Sequence, residues 1–356
     1  MGRLILHAGM PKTGSSTIQT WLRANSARLR DLHDIDVLVV RTRDSVGTPR
    51  VEIEAHESGS VNSGQFIERY MRPGAPREAM SRELFDGIAR RSETGSSAII
   101  SGEAFAQPFW RKDAVFLDSL ARLSEAHRVT VAYYVRPQHT ALEAAWRQWG
   151  FRSGSSPSQY LLRRSEQMFY LDTYEFLSSE YPRVDFAIRP FRSDLLFEGD
   201  VILDFVAEVL RLEARFPVTA GTWTNRGLPL EIVNALRSAP PGLLWQSPHD
   251  NRVLTTIKRL LEELELELPE SEDVRLSRAL LKRHAWNVFE MDNRKLASSL
   301  GWQCDSFIEA LDQSDAPGAG AASELTRLDQ LWRPKASEAE LLLLQHALAR
   351  LAARSG

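Results

Sequence analysis

The chain has 356 residues, 43% of them hydrophobic and 26% charged, which fits one large folded domain or two modest ones and excludes disorder as the main state. Its 44 Lys+Arg against 47 Asp+Glu give a formal net charge of −3, so no global basic excess points to nucleic acid and any anion site has to be built locally. A single cysteine, Cys304, excludes an internal disulfide framework or cysteine-based metal cluster and fits a reducing, cytoplasmic setting.

Residues 4–7 read as a short apolar strand that enters a Gly/Pro-rich turn, followed by a helix over 16–29. A second strand is expected over 36–40, then a polar, Gly/Ser/Pro-rich excursion over 41–76 with little regular structure. Helical spacing returns over 77–91 through Met80, Leu84, Phe85 and Ile88, a strand over 97–101, and a helix over 114–126. Residues 129–135 (VTVAYYV) are the clearest buried strand; helices follow over 140–149 and 158–169, a strand over 184–188 and a helix over 200–212.

Short apolar strands alternating with helices predict an α/β fold, a parallel sheet of about five strands covered on both faces. After residue 222 the strand signal disappears, and helices are expected over 230–236, 251–266, 272–289 and 293–300. This divides the chain into an α/β core over 1–225, a helical region over 226–305 packed on it, a linker over 306–336 and a C-terminal helix over 337–356. The apolar stripe of that last helix suits either a homodimer contact or packing on its own domain. Apolar runs stay short of the roughly 18 residues that a membrane span needs, so no span is expected.

The most informative segment is LILHAGMPKTGSSTIQTWL, beginning at Leu4. A strand runs into Gly9, Pro11 and Gly14, then three adjacent hydroxyls, Ser15, Ser16 and Thr17, open a helix. Backbone N–H groups in such a loop and at a helix N-terminus form an anion site. The spacing from Gly9 to Gly14 matches G-x-x-x-x-G-K-[ST], but Ser15 stands where the lysine belongs, and the lysine sits inside the loop as Lys12. A lysine there lies nearer the bridging oxygen of a short, diphosphate-like group. Strand 129–135 runs into Arg136–Pro137 rather than an Asp suited to Mg²⁺. The loop reads as built for a phosphate-like anion with no catalytic metal.

His7, Pro11, Lys12, Thr13, Gly14, Ser15, Ser16, Thr17, Ile18 and Gln19 stand in the order found in the 5′-phosphosulfate loop of bacterial sulfotransferases that use 3′-phosphoadenosine 5′-phosphosulfate (PAPS), which this segment resembles. IISGEAF, ending at Phe105, YYVRPQHTALEAAWRQW, beginning at Tyr133, FAIRPFRSDLL, ending at Leu196, and TNRGLP, ending at Pro229, resemble later elements of that family in the same order. The resemblance implies a P-loop-like fold, PAPS as donor substrate with adenosine 3′,5′-bisphosphate as product, and a saccharide, glycolipid or small-molecule alcohol as acceptor. It implies that Lys12 acts on the oxygen bridging sulfur and phosphorus, and that Thr13, Gly14, Ser15, Ser16 and Thr17 bind the 5′ phosphate. Arg136 is then the 3′-phosphate ligand. The family has a Ser eight residues further on, where this chain has Ala144; Arg226 is the candidate replacement.

Transfer to a hydroxyl needs a base near the attacking oxygen. Glu103 directly follows strand 97–101, a position that points into the crevice of a parallel sheet. It is the expected base, with His7 and His139 as reserves. Trp110, Trp146, Trp149 and Phe151 suit either core packing or an aromatic floor for an acceptor. Two other readings stay open: a P-loop kinase or NTPase, and a non-catalytic nucleotide-binding protein.

Overall fold

The computed structural model describes residues 2–10, 12–43, 50–92, 96–212, 228–238, 252–263, 270–302, 321–332 and 338–355. The chain forms two compact units. The first comprises Met1–Pro137, Phe169–Asn225 and Asp292–Ile308; the second comprises Gln138–Met168, Arg226–Met291 and Glu309–Gly356.

The first unit is built on a mixed, six-stranded sheet in the order β3-β2-β4-β1-β5-β6. The strands are β1 (Arg3–Ala8), β2 (Ile35–Arg43), β3 (Arg50–Ala55), β4 (Ser97–Gly102), β5 (Arg128–Val135) and β6 (Asp185–Pro190). All neighbours run parallel except β3, which pairs antiparallel with β2. Central β1 is held in register on both sides, His7 opposite Ser101 of β4 and Ala132 of β5. Residues 129–135 are buried on both faces, which is why that stretch reads as a continuous apolar run.

One face of the sheet, through Ile5, Val37, Ile99, Ala132 and Tyr134, packs on α1 (Ser15–His33) and on a helix that begins as α9 (Val201–Asp204). Ile18, Trp21, Leu22 and Leu29 supply α1's side of this contact at helical spacing. The opposite face carries an aromatic cluster around Phe116 of α5 (Ala114–Ala126), with Phe105, Phe109, Phe85 and Tyr70. Two short helices complete this layer near the strand ends, α2 (Gly64–Tyr70) and α4 (Ala106–Trp110), with α3 (Arg77–Ser92) beside them.

The excursion expected to lack regular structure supplies both β3 and α2. Val51, Ile53 and Ala55 alternate with Glu52 and Glu54, a period-2 signal masked by its charge. Glu54 pairs with Arg41 and Glu52 with Arg43, so the sheet's edge carries charges that discourage further pairing. The helix expected over 200–212 begins as α-helix and becomes a π-helical turn at Phe205–Leu210. Asp200 caps its start by accepting from Ile202 and Leu203 N–H.

The described part of the second unit is helical: α6 (Gln138–Gln148), α7 (Pro157–Ser165), Leu230–Ser238, Arg252–Glu263, most of Glu272–Leu300, Ala321–Leu331 and Glu338–Ser355. Helices expected over 272–289 and 293–300 are one continuous element, and Ala321–Leu331 falls in the stretch read as linker. The unit's core stacks Trp146 on Trp332, with Tyr160 edge-on. The Glu143 carboxylate joins Arg147 to Arg278. No helix among the described residues is long and apolar enough to cross a membrane.

Candidate functional site

Of the expected site residues, 12–17, Glu103 and Arg136 fall in the first unit, at the carboxyl ends of three adjacent strands. β1 leads into the Lys12 loop, β4 into Glu103 and β5 into Arg136. From β1 the chain turns toward β2 on one side of the sheet, and from β5 it goes on to β6 on the other. Adjacent parallel strands whose connections diverge leave a crevice at their carboxyl ends, where ligands bind in open α/β sheets.

Packing fixes the loop closely. A side chain on Gly9 would bring its Cβ within 2.3 Å of Ser15 Oγ and 3.1 Å of Glu103 Cα. Gly9 therefore lets the end of β1 lie against both the start of α1 and the Glu103 turn, and its N–H donates to Gly102 O at 3.1 Å. Gly14 caps α1 in the left-handed region at φ 78°, and a Cβ there would meet the Phe191 ring at 2.7 Å. Only glycine satisfies both conditions. Lys12 is also left-handed, at φ 67°, a conformation that costs a non-glycine residue roughly 1–2 kcal/mol and that clusters at functional sites.

The loop's hydroxyls divide into two groups. Thr13 Oγ1 and Ser15 Oγ both donate to Met10 O, at 2.8 and 3.2 Å, and both side chains are buried. They brace the loop and leave an anion only their backbone N–H groups. Ser16 is exposed and Thr17 half-buried, and neither hydroxyl is turned onto Met10 O as those of Thr13 and Ser15 are. The first N–H groups of a helix have no intrahelical acceptor, and Gly14 supplies no side-chain cap to α1. The positive end of the helix dipole thus opens at the loop without a carboxylate in its first turn.

Glu103 begins the short turn after β4 and is half-buried. Among the described residues its carboxylate accepts no hydrogen bond and pairs with no Arg. Burial pushes its carboxyl above the ordinary carboxylate range; the Lys12 ammonium pulls it back and the Glu68 carboxylate raises it further. Glu68, on α2, is a neighbour that the linear sequence does not reveal. The segment before α2 docks on the end of β4: Ser63 N–H donates to Ser101 O at 2.8 Å, and a Cβ on Gly64 would lie 3.7 Å from Glu103 N.

Arg136 reaches across from β5, and its Nη1 donates to the Lys12 carbonyl at 3.2 Å. Its own carbonyl accepts from Tyr170 Oη at 3.0 Å. Tyr170 opens α8 (Tyr170–Glu180), an element with no counterpart in the sequence reading. His7 lies outside the crevice: it has no exposed surface, its Nδ1 is hydrogen-bonded to Ser101 Oγ at 2.8 Å, and Tyr134 and Phe205 wall it in. Burial pulls its imidazole down to about 3, so it is neutral at ordinary pH. Arg226 and Pro11 lie outside the described residues, and His139 and Ala144 belong to the second unit. Trp146 is core, fully buried against Trp332.

Together these groups offer a cation, a row of helix-start N–H donors, a planar guanidinium and a carboxylate of raised basicity. Among the described residues no three His, Cys, Asp or Glu side chains come together as metal ligands. No family model, curated protein or solved structure matches this chain.

Proposed function

We propose that this chain is a metal-independent sulfotransferase with a P-loop-like core, moving a sulfuryl group from PAPS to a hydroxyl of a carbohydrate, glycolipid or small-molecule acceptor. The observation that carries this reading is the meeting of Lys12, the uncapped start of α1, Glu103 and Arg136 at the ends of β1, β4 and β5. The 5′ phosphate would sit on the N–H groups of residues 13–17 and the hydroxyls of exposed Ser16 and half-buried Thr17. Arg136 would take the 3′ phosphate through its planar fork.

In the transfer, the acceptor oxygen forms a bond to sulfur as the bond from sulfur to the bridging oxygen breaks. Glu103 accepts the hydroxyl proton, a task helped by its raised carboxyl pKa. Lys12 stabilises the charge that develops on the departing phosphate, the kind of preorganised electrostatics that carries most group transfers of this type. Adenosine 3′,5′-bisphosphate and the sulfated acceptor leave.

Calorimetric titration with adenosine 3′,5′-bisphosphate tests the reading. Binding in the presence of EDTA, with sulfate transfer from labelled PAPS to a component of cell extracts, is the expected result. Binding of ATP only with Mg²⁺ would favour a kinase or NTPase. Nucleotide binding with no transfer to any acceptor would favour a binding protein, and no nucleotide binding would remove the sulfotransferase reading.

A further inference from the structure

Arg136 does two things at once. Nothing in the chemistry of a 3′-phosphate ligand requires it to touch the 5′ loop, yet its Nη1 donates to the carbonyl of Lys12. Lys12 is the loop residue that needs such a contact most. Its backbone is left-handed, a state an L-residue keeps only when its surroundings over-determine it. Around it, Thr13 Oγ1 and Ser15 Oγ both bind Met10 O, so the loop is braced on either side of Lys12. Arg136 supplies the bond at Lys12 itself.

Arg136 is in turn held from outside the loop. Tyr170 Oη donates to its carbonyl, and the Tyr170 ring is 1% exposed. Tyr170 stands in the first turn of α8, whose N–H groups need acceptors. Asp292, in the first unit's part of Glu272–Leu300, provides one: Leu171 N–H donates to its Oδ2 at 3.1 Å. A chain of contacts therefore runs from Asp292 through α8 and Tyr170 to Arg136 and the Lys12 backbone.

The geometry points to Arg136 as the positioning residue of the Lys12 loop, so that the subsite for the 3′ phosphate and the cation acting at the 5′ end are energetically coupled. This rests on the proposed sulfotransfer for the identity of the ligands, though not for the contact. The guanidinium has five N–H donors in a fixed fork, of which the bond to the Lys12 carbonyl uses one. A donor carrying a 3′ phosphate would then fix Arg136 more firmly, and with it Lys12. A nucleotide lacking that group would still benefit from Arg136 through the loop.

The test is a double-mutant cycle read with two nucleotides. The parent, Arg136→Ala, Lys12→Ala and the double variant are titrated calorimetrically with adenosine 5′-monophosphate and adenosine 3′,5′-bisphosphate. Arg136→Ala should weaken the monophosphate, which lacks the 3′ group, by about 5- to 20-fold, the scale of one charge-linked hydrogen bond. In the Lys12→Ala background, which keeps the carbonyl but lacks the ammonium, the same change should cost the monophosphate clearly less than in the parent. An Arg136→Ala protein that binds monophosphate like its parent, or an equal loss in both backgrounds, overturns the proposal.

If Arg136→Ala does not fold, Tyr170→Phe, which keeps the guanidinium and removes the bond to the Arg136 backbone carbonyl, replaces it in the cycle. A loss of about 2- to 4-fold for monophosphate is then expected, and none would overturn the coupling. If the parent binds neither nucleotide, the sulfotransferase reading fails separately. Amide hydrogen exchange at residues 12–17 then decides alone: Arg136→Ala, or Tyr170→Phe in its place, should speed it, and unchanged protection overturns the positioning role.

Discussion

The two ends of the same sheet treat charge in opposite ways. At the amino ends of β1 and β5, the Arg3 guanidinium donates to Thr130 Oγ1 and to the carbonyls of Val209 and Leu210. Asp185 accepts from Thr130 and pairs with Arg211. The chain's own groups answer the charge, and the π-helical turn ends with its last carbonyls on Arg3. At the carboxyl ends, α1 starts without a side-chain cap, and Glu103 is desolvated with no hydrogen-bond donor among the described residues. An uncapped helix start and a desolvated carboxylate meet there beside a left-handed lysine, and these are the features on which the proposed site rests.

Replacing Glu103 should break this contrast most severely. Glu103→Gln is expected to lower turnover by about 10²–10⁴-fold, the range for a positioned base, while adenosine 3′,5′-bisphosphate binding stays near the parent's. It should also raise thermal stability at neutral pH. Burial raises the folded-state pKa of Glu103 above its unfolded value, so its favourable contribution is present at low pH and lost as pH rises through the folded pKa. The gain from Gln should therefore fade as pH drops below the ordinary carboxylate range. Calorimetric melts across pH check the sign; full turnover in the folded variant would move the base elsewhere.

Lys12→Ala comes next, with turnover falling at least about a hundredfold, as when one transition-state charge donor is removed. Alanine lacks the ammonium that pulls the Glu103 pKa down, so the acid limb of the residual pH profile should move upward. A folded variant of near-normal turnover would take away the central support of the proposed function.

The site's framework was legible because short apolar runs of buried strands survive any local context. Residues 97–101 and 129–135 match β4 and β5 within a residue, and the expected helix 16–29 lies within Ser15–His33. Glycine spacing marked the loop, since Gly9 and Gly14 stand where close approach and a positive φ demand them. The inward turn of Thr13 and Ser15 was hidden, because a hydroxyl beside a phosphate loop and one that braces it look alike in sequence. Glu68 and Tyr170 were hidden too: each reaches the site through a tertiary contact from an element whose own pattern was weak. β3, with its alternation written among charges, was lost the same way.

Arg3 tests the quieter end of the sheet. Arg3→Ala removes the donors to Thr130, Val209 and Leu210 and should cost about 1–3 kcal/mol of stability. Nucleotide affinity, measured well below the melting temperature, should stay within about 2-fold of the parent's, since no strand-end ligand is touched. A specific loss of affinity in a stable Arg3 variant would mean that the ends of the sheet communicate.

The smallest effect, and the finest probe of the open end, is that of Glu68. Its carboxylate is exposed on α2 and raises the Glu103 pKa through space. Glu68→Gln removes that repulsion, so Glu103 should ionise at lower pH and the acid limb of the turnover profile should move down. The plateau should hardly change, because the variant alters when the base is ionised rather than how well it works once it is. Glu68→Asp should keep most of the parent's profile. Interactions of exposed charges weaken as salt shortens the Debye length, from about 10 Å at 0.1 M to about 3 Å at 1 M. The difference between parent and Glu68→Gln should therefore be largest at low ionic strength and shrink toward 1 M salt. A limb that stays in place at low salt would mean that Glu103 is not the group titrating in turnover, whereas a salt-independent shift would point to a rearrangement of α2.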